Sequence, residues 1–401
     1  MVEKPFLRRF DFPQFKLHRF LRWLLVIVLY LITFSALDNL THTIEIFPGV
    51  VAWYPPDGLS LAFLLTFGVG FAPVFAIASL ISSLIIFRFS ISFTQVLVWA
   101  VILSSVYGIN AFVLRRKIRI DPQLRNLRDI LWLILSSAIV STVLALISVS
   151  VLVNYKEIPA SQFFYAFAQW WIGEMIGVLV FAPFFLIHVM PRVKRFIDVG
   201  WTKSIPLFSL QRPSLLVIGQ IISIPLVLYL AFGIPALRGI QPIYLIAAPI
   251  IWIALTKGLS GASIAIAALN FGTIIAIWLF KFDTSRLGEL QFLMFGIYIS
   301  TLLTGAIVTK QKKTEEEIRQ REIHNRALIE NAPDAITLVG VDGLLKYQSP
   351  STQRIFGYTP KEYDGSNPAE LTHPEDLSAL LDILADLSQN PGKVVTTEYR
   401  F

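Results

Sequence analysis

The sequence predicts a polytopic α-helical membrane domain of eight to ten spans, followed by a small α+β domain in water. Apolar runs recur from Trp23 to Val308 and then stop. Hydrophobic residues make up 55% of the chain and charged residues 15%, with a mean hydropathy of +0.65, a balance no ordinary soluble domain shows. After Lys310 charged and turn-forming residues dominate. Composition thus divides the 401 residues into a basic segment 1–21, an integral membrane domain 22–309, a helical linker 310–331 and a partial α+β domain 332–401.

The spans are expected at 22–40, 57–70, 73–88, 92–114, 130–153, 166–189, 214–233, 241–256, 260–280 and 289–309. The basic start and the apolar run from Trp23 resemble a signal peptide, but no small-residue cleavage site follows, so the run reads as a retained anchor. The pair 57–70 and 73–88, broken by Gly68, Gly70 and Pro73, reads as two short spans or one re-entrant hairpin. Both segments are shorter than the roughly 20 residues a perpendicular helix needs.

Basic residues set the orientation. With the N-terminus inside, 21 Lys and Arg fall on the inner side and five on the outer, which places both termini in the cytoplasm. The net charge of +7 therefore reflects membrane topology, and nucleic acid is not an expected partner. The chain has no cysteine, which excludes disulfides, thiolate metal sites and cysteine nucleophiles.

Lys310–Asn331 reads as a charged helix continuing the last span, with Glu315–Arg319 and Glu317–Arg321 as pairs four apart. Beyond it, Ala335–Val339 and Leu344–Gln348 are strand candidates around an Asp-Gly turn. A short helix follows Ser349-Pro350. Thr359-Pro360-Lys361-Glu362 has the pattern of a helix start, Pro374–Leu387 is an amphipathic helix, and Val394–Phe401 is a third strand candidate. His373, before Pro374, Glu375 and Asp376, suits a helix start better than a haem-ligand role.

Several motifs carry resemblances. LIENAPDAI, VDGLLKYQSPSTQRIFGY, TPKEYDG, HPEDL and the closing EYRF are together similar to a PAS domain. WYPPDGLSLA at 53–62 and WWIGEMIGVLVFAP at 170–183 resemble a membrane-associated sensor domain of the MASE kind, type one. The first family's sheet has five strands with the last two central, so the resemblance implies an incomplete sheet and a natural chain that continues past Phe401. The second implies the input half of a bacterial signalling protein in the plasma membrane, with a histidine kinase or a cyclic-dinucleotide enzyme as output. It also implies a homodimer joined through linker and PAS domain, and allows for a membrane partner protein besides the lipid bilayer.

Glu174 is the leading site candidate, because a carboxylate in an apolar span costs at least about 2.5 kcal/mol and marks function by default. It lies about eight residues from the expected outer end of its span, roughly 12 Å deep. Gly173 and Gly177 beside it would let another helix approach. Asp57, behind Pro55-Pro56, opens a span from the same side. The expectation is an outward-facing pocket for a cation, a cationic ligand or protons, holding Glu174 and Asp57 and walled by Trp53, Trp170 and Trp171. Buried Asn110, Gln169, Gln220 and Asn270 are expected to bond between helices, and His188 to sit on the inner surface. In the soluble part Ile336, Leu338, Tyr347 and Phe356 would line any small-molecule pocket, though no cofactor is evident. No catalytic motif, phosphate loop or paired metal-binding histidine occurs. The main reading is a membrane sensor; a transporter or channel with a regulatory PAS domain is the alternative.

Overall fold

The computed structural model describes residues 14–43, 45–47, 50–86, 92–200, 214–234, 242–282, 287–340, 342–357, 367 and 372–400. Arg8, Arg9, Arg88, Lys203, Arg212, Arg238, Arg286, the expected helix start at Thr359–Glu362, and Phe401 lie outside them. The chain forms two compact units, Met1–Gln311 and Lys312–Phe401.

The first unit is helical: α1 (Gln14–Thr41), α2 (Pro55–Phe67), α3 (Ala72–Ile86), α4 (Phe93–Phe112), α5 (Leu127–Asn154), α6 (Phe163–Phe184), α7 (Met190–Val199), α8 (Leu215–Leu228), α9 (Ala247–Leu279) and α10 (Leu287–Glu330). A two-stranded ribbon, β1 (Glu45–Phe47) with β2 (Val50–Val51), lies between α1 and α2. Among the described residues eight helices are long and apolar enough to cross a membrane. Their exposed apolar side chains, such as Leu25, Leu29 and Ile32 on α1 and Ile221 and Ile222 on α8, form the surface that lipid would cover.

Two elements depart from simple spans. α2 has 13 residues, about 20 Å of rise against a hydrocarbon core of about 30 Å. Pro55 and Pro56 start it, where missing N–H groups cost nothing. Gly68, at φ 101, ends it, and the Arg115 guanidinium donates to the Leu64 carbonyl at 3.4 Å, a cation at the negative helix end. Every residue from Pro55 to Leu65 is buried, so protein rather than lipid surrounds the short helix.

α9 is broken at Gly258 (φ 67, ψ −156). A Cβ on Gly261 would lie 3.1 Å from Ile253 Cγ2, although eight residues of straight helix span about 12 Å. Pro242–Ile246 and Phe280 both lie against Tyr229–Gly233. The chain therefore doubles back at Gly258, as the separate segments 241–256 and 260–280 anticipate.

α6 sits at the centre, with every residue from Ile172 to Pro183 buried. Its glycines receive something other than the expected helix. A Cβ on Gly173 would fall 2.8 Å from the Val51 carbonyl oxygen, and one on Gly177 would collide with the Tyr54 carbonyl. The neighbour is thus the extended stretch Val51–Tyr54, pinned where Tyr54 N–H donates to the Gly173 carbonyl at 3.3 Å. α2 then continues along the same helix, with Gly58 against the Gly177 carbonyl and Phe181.

α10 is one 44-residue helix from Leu287 to Glu330. On its polar half Arg319 pairs with Glu316 at 2.8 Å, and Glu317 lies 3.8 Å from Lys313, instead of the expected partners. The Arg319 guanidinium, aided by the Gln320 amide, pulls the Glu316 carboxyl down to about 2.

In the second unit β3 (Thr337–Val339) pairs antiparallel with β4 (Leu345–Gln348), followed by α11 (Pro350–Phe356) and α12 (Pro374–Gln389). His373 caps α12, its Nδ1 accepting from Glu375 N–H at 3.3 Å. The expected third strand is not formed: 393–400 is irregular. Arg400 is bound instead to the acids of the α12 start, to Asp376 at 3.0 Å and Glu375 at 2.7 Å.

Two outcomes follow. Gly177→Ala should destabilise the membrane unit by about 1–3 kcal/mol through overpacking, and Gly296→Ala, which meets nothing within 4 Å, should not; reversible unfolding in detergent measures both. The Arg400 side chain and backbone N–H hold Asp376 down at about 2. Its pairing should therefore be intact above the ordinary carboxylate range near 3.8 and be lost as pH falls through about 2, seen as faster hydrogen exchange at His373 N–H, which donates to the Arg400 carbonyl.

Candidate functional site

Glu174 stands eleven residues into α6 and is 6% exposed; Asp57, in the first turn of α2, is 0% exposed. α4 supplies Tyr107, whose hydroxyl donates to Glu174 Oε2 at 3.1 Å. Trp170, one turn back on α6, donates its Nε1–H to Oε1 at 3.2 Å. Asp57 faces Glu174 and Tyr107, yet neither of its oxygens has a hydrogen bond of good geometry. The groups acting on Asp57 are Glu174, Tyr107 and Asp38: acids and a phenol, with no cation among them. Two adjacent carboxyl groups in an apolar bundle require a positive charge, either a proton or a bound cation.

Asp38 extends the cluster toward the ribbon side. It is 3% exposed and faces the Tyr54 and Ser82 hydroxyls. His42 Nε2 lies 3.8 Å from Asp38 Oδ1, and His42 Nδ1 is 2.8 Å from Glu45 Oε1. On the other side Tyr30 O–H and Ser60 Oγ share a hydrogen bond of 2.8 Å beneath Asp57.

This arrangement corrects part of the sequence reading. The two acids do come together, but they are sealed inside the bundle instead of lining an open outward pocket. Of the tryptophans, only Trp170 is seen bonding a carboxylate. Trp171 donates to Thr142 at 3.0 Å and to the Ala138 carbonyl on α5, and Trp53 is fully buried in the core. Asp38, Tyr107 and Tyr54 were not expected here. An aspartate ending an apolar run reads as the span's edge, and a tyrosine within a span reads as packing. The four-residue spacing of Asp38 and His42, about one helical turn, was the available signal.

The other polar groups divide. Gln220 donates to Thr256 Oγ1 at 2.6 Å and Asn270 to the Tyr298 hydroxyl at 3.4 Å, as expected between helices. Asn110 Nδ2 and both Gln169 side-chain heteroatoms have no partner. His188 is no simple surface residue: its Nε2 lies 3.0 Å from Ser263 Oγ and 3.1 Å from the Ser260 carbonyl, joining the end of α6 to α9. A separate apolar cavity of about 830 Å³ between α8 and α9, bounded by Leu228, Tyr229, Lys257 and Phe280, contains neither acid of the pair.

The expected pocket of the second unit is not enclosed. Ile336, Leu338, Tyr347 and Phe356 are 41%, 60%, 44% and 44% exposed. A two-strand hairpin with one short helix lacks the layer that would cover them.

Among the described residues no group of three or more His, Cys, Asp or Glu is arranged for a metal. The fold and site define a multi-pass helical membrane protein built around a buried acid pair. The MASE1 family model matches residues 22–312 and the PAS fold model matches 345–401, and the chain belongs to the MASE1 family. No curated protein and no solved structure matches it. A MASE1 membrane domain joined to a PAS region makes this the input region of a membrane signalling protein.

Tyr107→Phe should cost about 1–3 kcal/mol, because Glu174 loses a donor inside the bundle. In the Glu174→Gln background the same change should cost measurably less, a coupling that a double-mutant cycle in detergent reads directly.

Proposed function

We propose that the Asp57–Glu174 pair is the signal-receiving site of this membrane domain and that α10 carries its state to an output enzyme. The observation that supports this most is a buried carboxylate held by Tyr107 and Trp170 beside a second acid with no cation acting on it. Such a pair has at least two states, with and without its positive charge, and the two differ in local repulsion. The same loop serves both ends of the device. Val51–Tyr54 rests on Gly173 and Gly177 and leads into Asp57, while the Ala52 carbonyl accepts a bond from Gln291 Nε2 of α10. Lower on α10, Thr309 Oγ1 accepts from Leu259 N–H at 2.8 Å beside the α9 turn.

In this reading the domain lies in a bacterial inner membrane with both termini cytoplasmic, as the basic residues direct. It works as a homodimer through the linker and PAS region, with a membrane partner protein as a further input. A histidine kinase or a cyclic-dinucleotide enzyme receives the signal. The transporter alternative draws on one observation, the interrupted helices α2 and α9, since transporters place sites at such breaks. Solute flux into liposomes at turnover rates would favour it.

The absence of cysteine makes labelling simple. A spin label on Ile318→Cys, in membranes, should change mobility severalfold when Glu174→Gln or Asp57→Asn is added, with insertion unchanged. Identical spectra in all three proteins would remove the site from the signalling path.

A further inference from the structure

We propose that the ligand of the Asp57–Glu174 pair is a proton, delivered from the ribbon side through His42, Asp38 and Tyr54. This rests on the reading above and adds the chemistry of the ligand and its route. Three observations carry it. First, the site is closed: exposures of 0% and 6% leave no way in for an organic cation. Second, the donors are unequally shared. Tyr107 and Trp170 both donate to Glu174, which suits a carboxylate, and neither oxygen of Asp57 has a hydrogen bond of good geometry although Tyr107 and Glu174 face it, which suits a carboxylic acid. Third, polar groups follow one another from His42, whose side chain is 18% exposed, through Asp38 and Tyr54 to the pair.

Ser82 gives this series independent support. It is 0% exposed on α3 and its hydroxyl faces Asp38, a carboxyl group that changes its hydrogen-bonding needs with each proton it takes.

The steps balance as follows. The His42 imidazolium releases its Nε2 proton to Asp38 Oδ1, and water returns one to the vacated Nε2 while Nδ1–H stays with Glu45. The 3.8 Å gap exceeds a hydrogen bond, so transfer needs a small closure or one bridging water. Asp38 passes a proton to the Tyr54 hydroxyl oxygen while that hydroxyl gives its own to Asp57. One proton enters and no other ion moves. The groups facing the route are Tyr30 and Asp38 from α1, His42 and Glu45 at its outer end, Tyr54, Tyr107 from α4 and Trp170 from α6.

The test uses the whole chain in liposomes and infrared difference spectra between about pH 8 and about pH 5 outside. A protonated-carboxyl band should appear on acidification and be lost in Asp57→Asn; Glu174→Gln, a second variant in case the first fails to insert, should shift it. Asp38→Asn and His42→Gln should slow its appearance after an acid jump by about tenfold or more. A band indifferent to both pair variants, unchanged kinetics in both route variants, or a band removed at constant pH by sodium or potassium chloride would each overturn the proposal, the last in favour of a metal cation. The Ile318→Cys label separates the two readings. A band that titrates with a silent label leaves a proton site and removes the sensor role. A label that responds through Glu174 with no band leaves the sensor site and removes the proton.

Discussion

Two carboxyl groups within an apolar helical bundle, with no cation among the described groups acting on Asp57, set the terms for the rest of the membrane domain. Glu174 on a lone helix in lipid would be expensive. Here α4 brings a hydroxyl and α6 brings its own indole, so both carboxylate oxygens accept a bond. Asp57 is not compensated in this way. A structural ion pair would have been built with Arg or Lys. Evolution of a stable core alone would have replaced both acids by apolar residues, since buried charge is often neutral or worse for stability.

Placing Asp57 there demands an unusual backbone. The chain must descend from the ribbon as extended polypeptide, whose N–H and C=O groups lipid cannot satisfy. Gly173 and Gly177 solve this by giving up side chains, so the stretch lies directly on α6 and bonds it at Tyr54. Gln291 from α10 satisfies the Ala52 carbonyl. Pro55-Pro56 then starts α2 without unmet donors. Glycine pair, proline pair, glutamine and aspartate thus answer one requirement: non-helical backbone inside a bundle must be covered and bonded by protein.

Much of this was legible in the sequence, for physical reasons that differ by residue. Spans are readable because lipid demands long apolar runs, and the turn at Gly258 showed as Lys257 and glycine between two of them. Glu174 is visible because a carboxylate interrupts an apolar run, and Asp57 because two prolines precede it. Tyr107 and Tyr54 were hidden: a tyrosine in a span is ordinary, and its hydroxyl acquires meaning only from what stands across the interface. Asp38 was hidden because it falls near the end of the 22–40 span, where an acid needs no partner, and only the packing of α3 and Tyr54 around it shows that it is buried. The PAS side chains were misplaced for the opposite reason. Alternation in a strand tells which residues share a face, but Leu338 and Tyr347 become buried only if another layer covers that face.

The geometry also limits how a state of the pair can leave the domain. A charge change at Asp57 acts on its immediate neighbours, and the only covalent continuation on the N-terminal side is the loop that Gln291 grips. α10 is a single helix of about 66 Å, apolar along its first half and charged along its second. A helix transmits rotation or piston movement without dissipating it, provided nothing breaks it, and α10 contains neither proline nor an irregular turn. Its lower hold combines the Thr309 bond to Leu259 N–H with Gly305 packed directly on the Gly258–Leu259 backbone. In the proposed reading the Gln291 bond to the Ala52 carbonyl is where a displaced loop meets α10, against an α6 fixed at the centre by its packing.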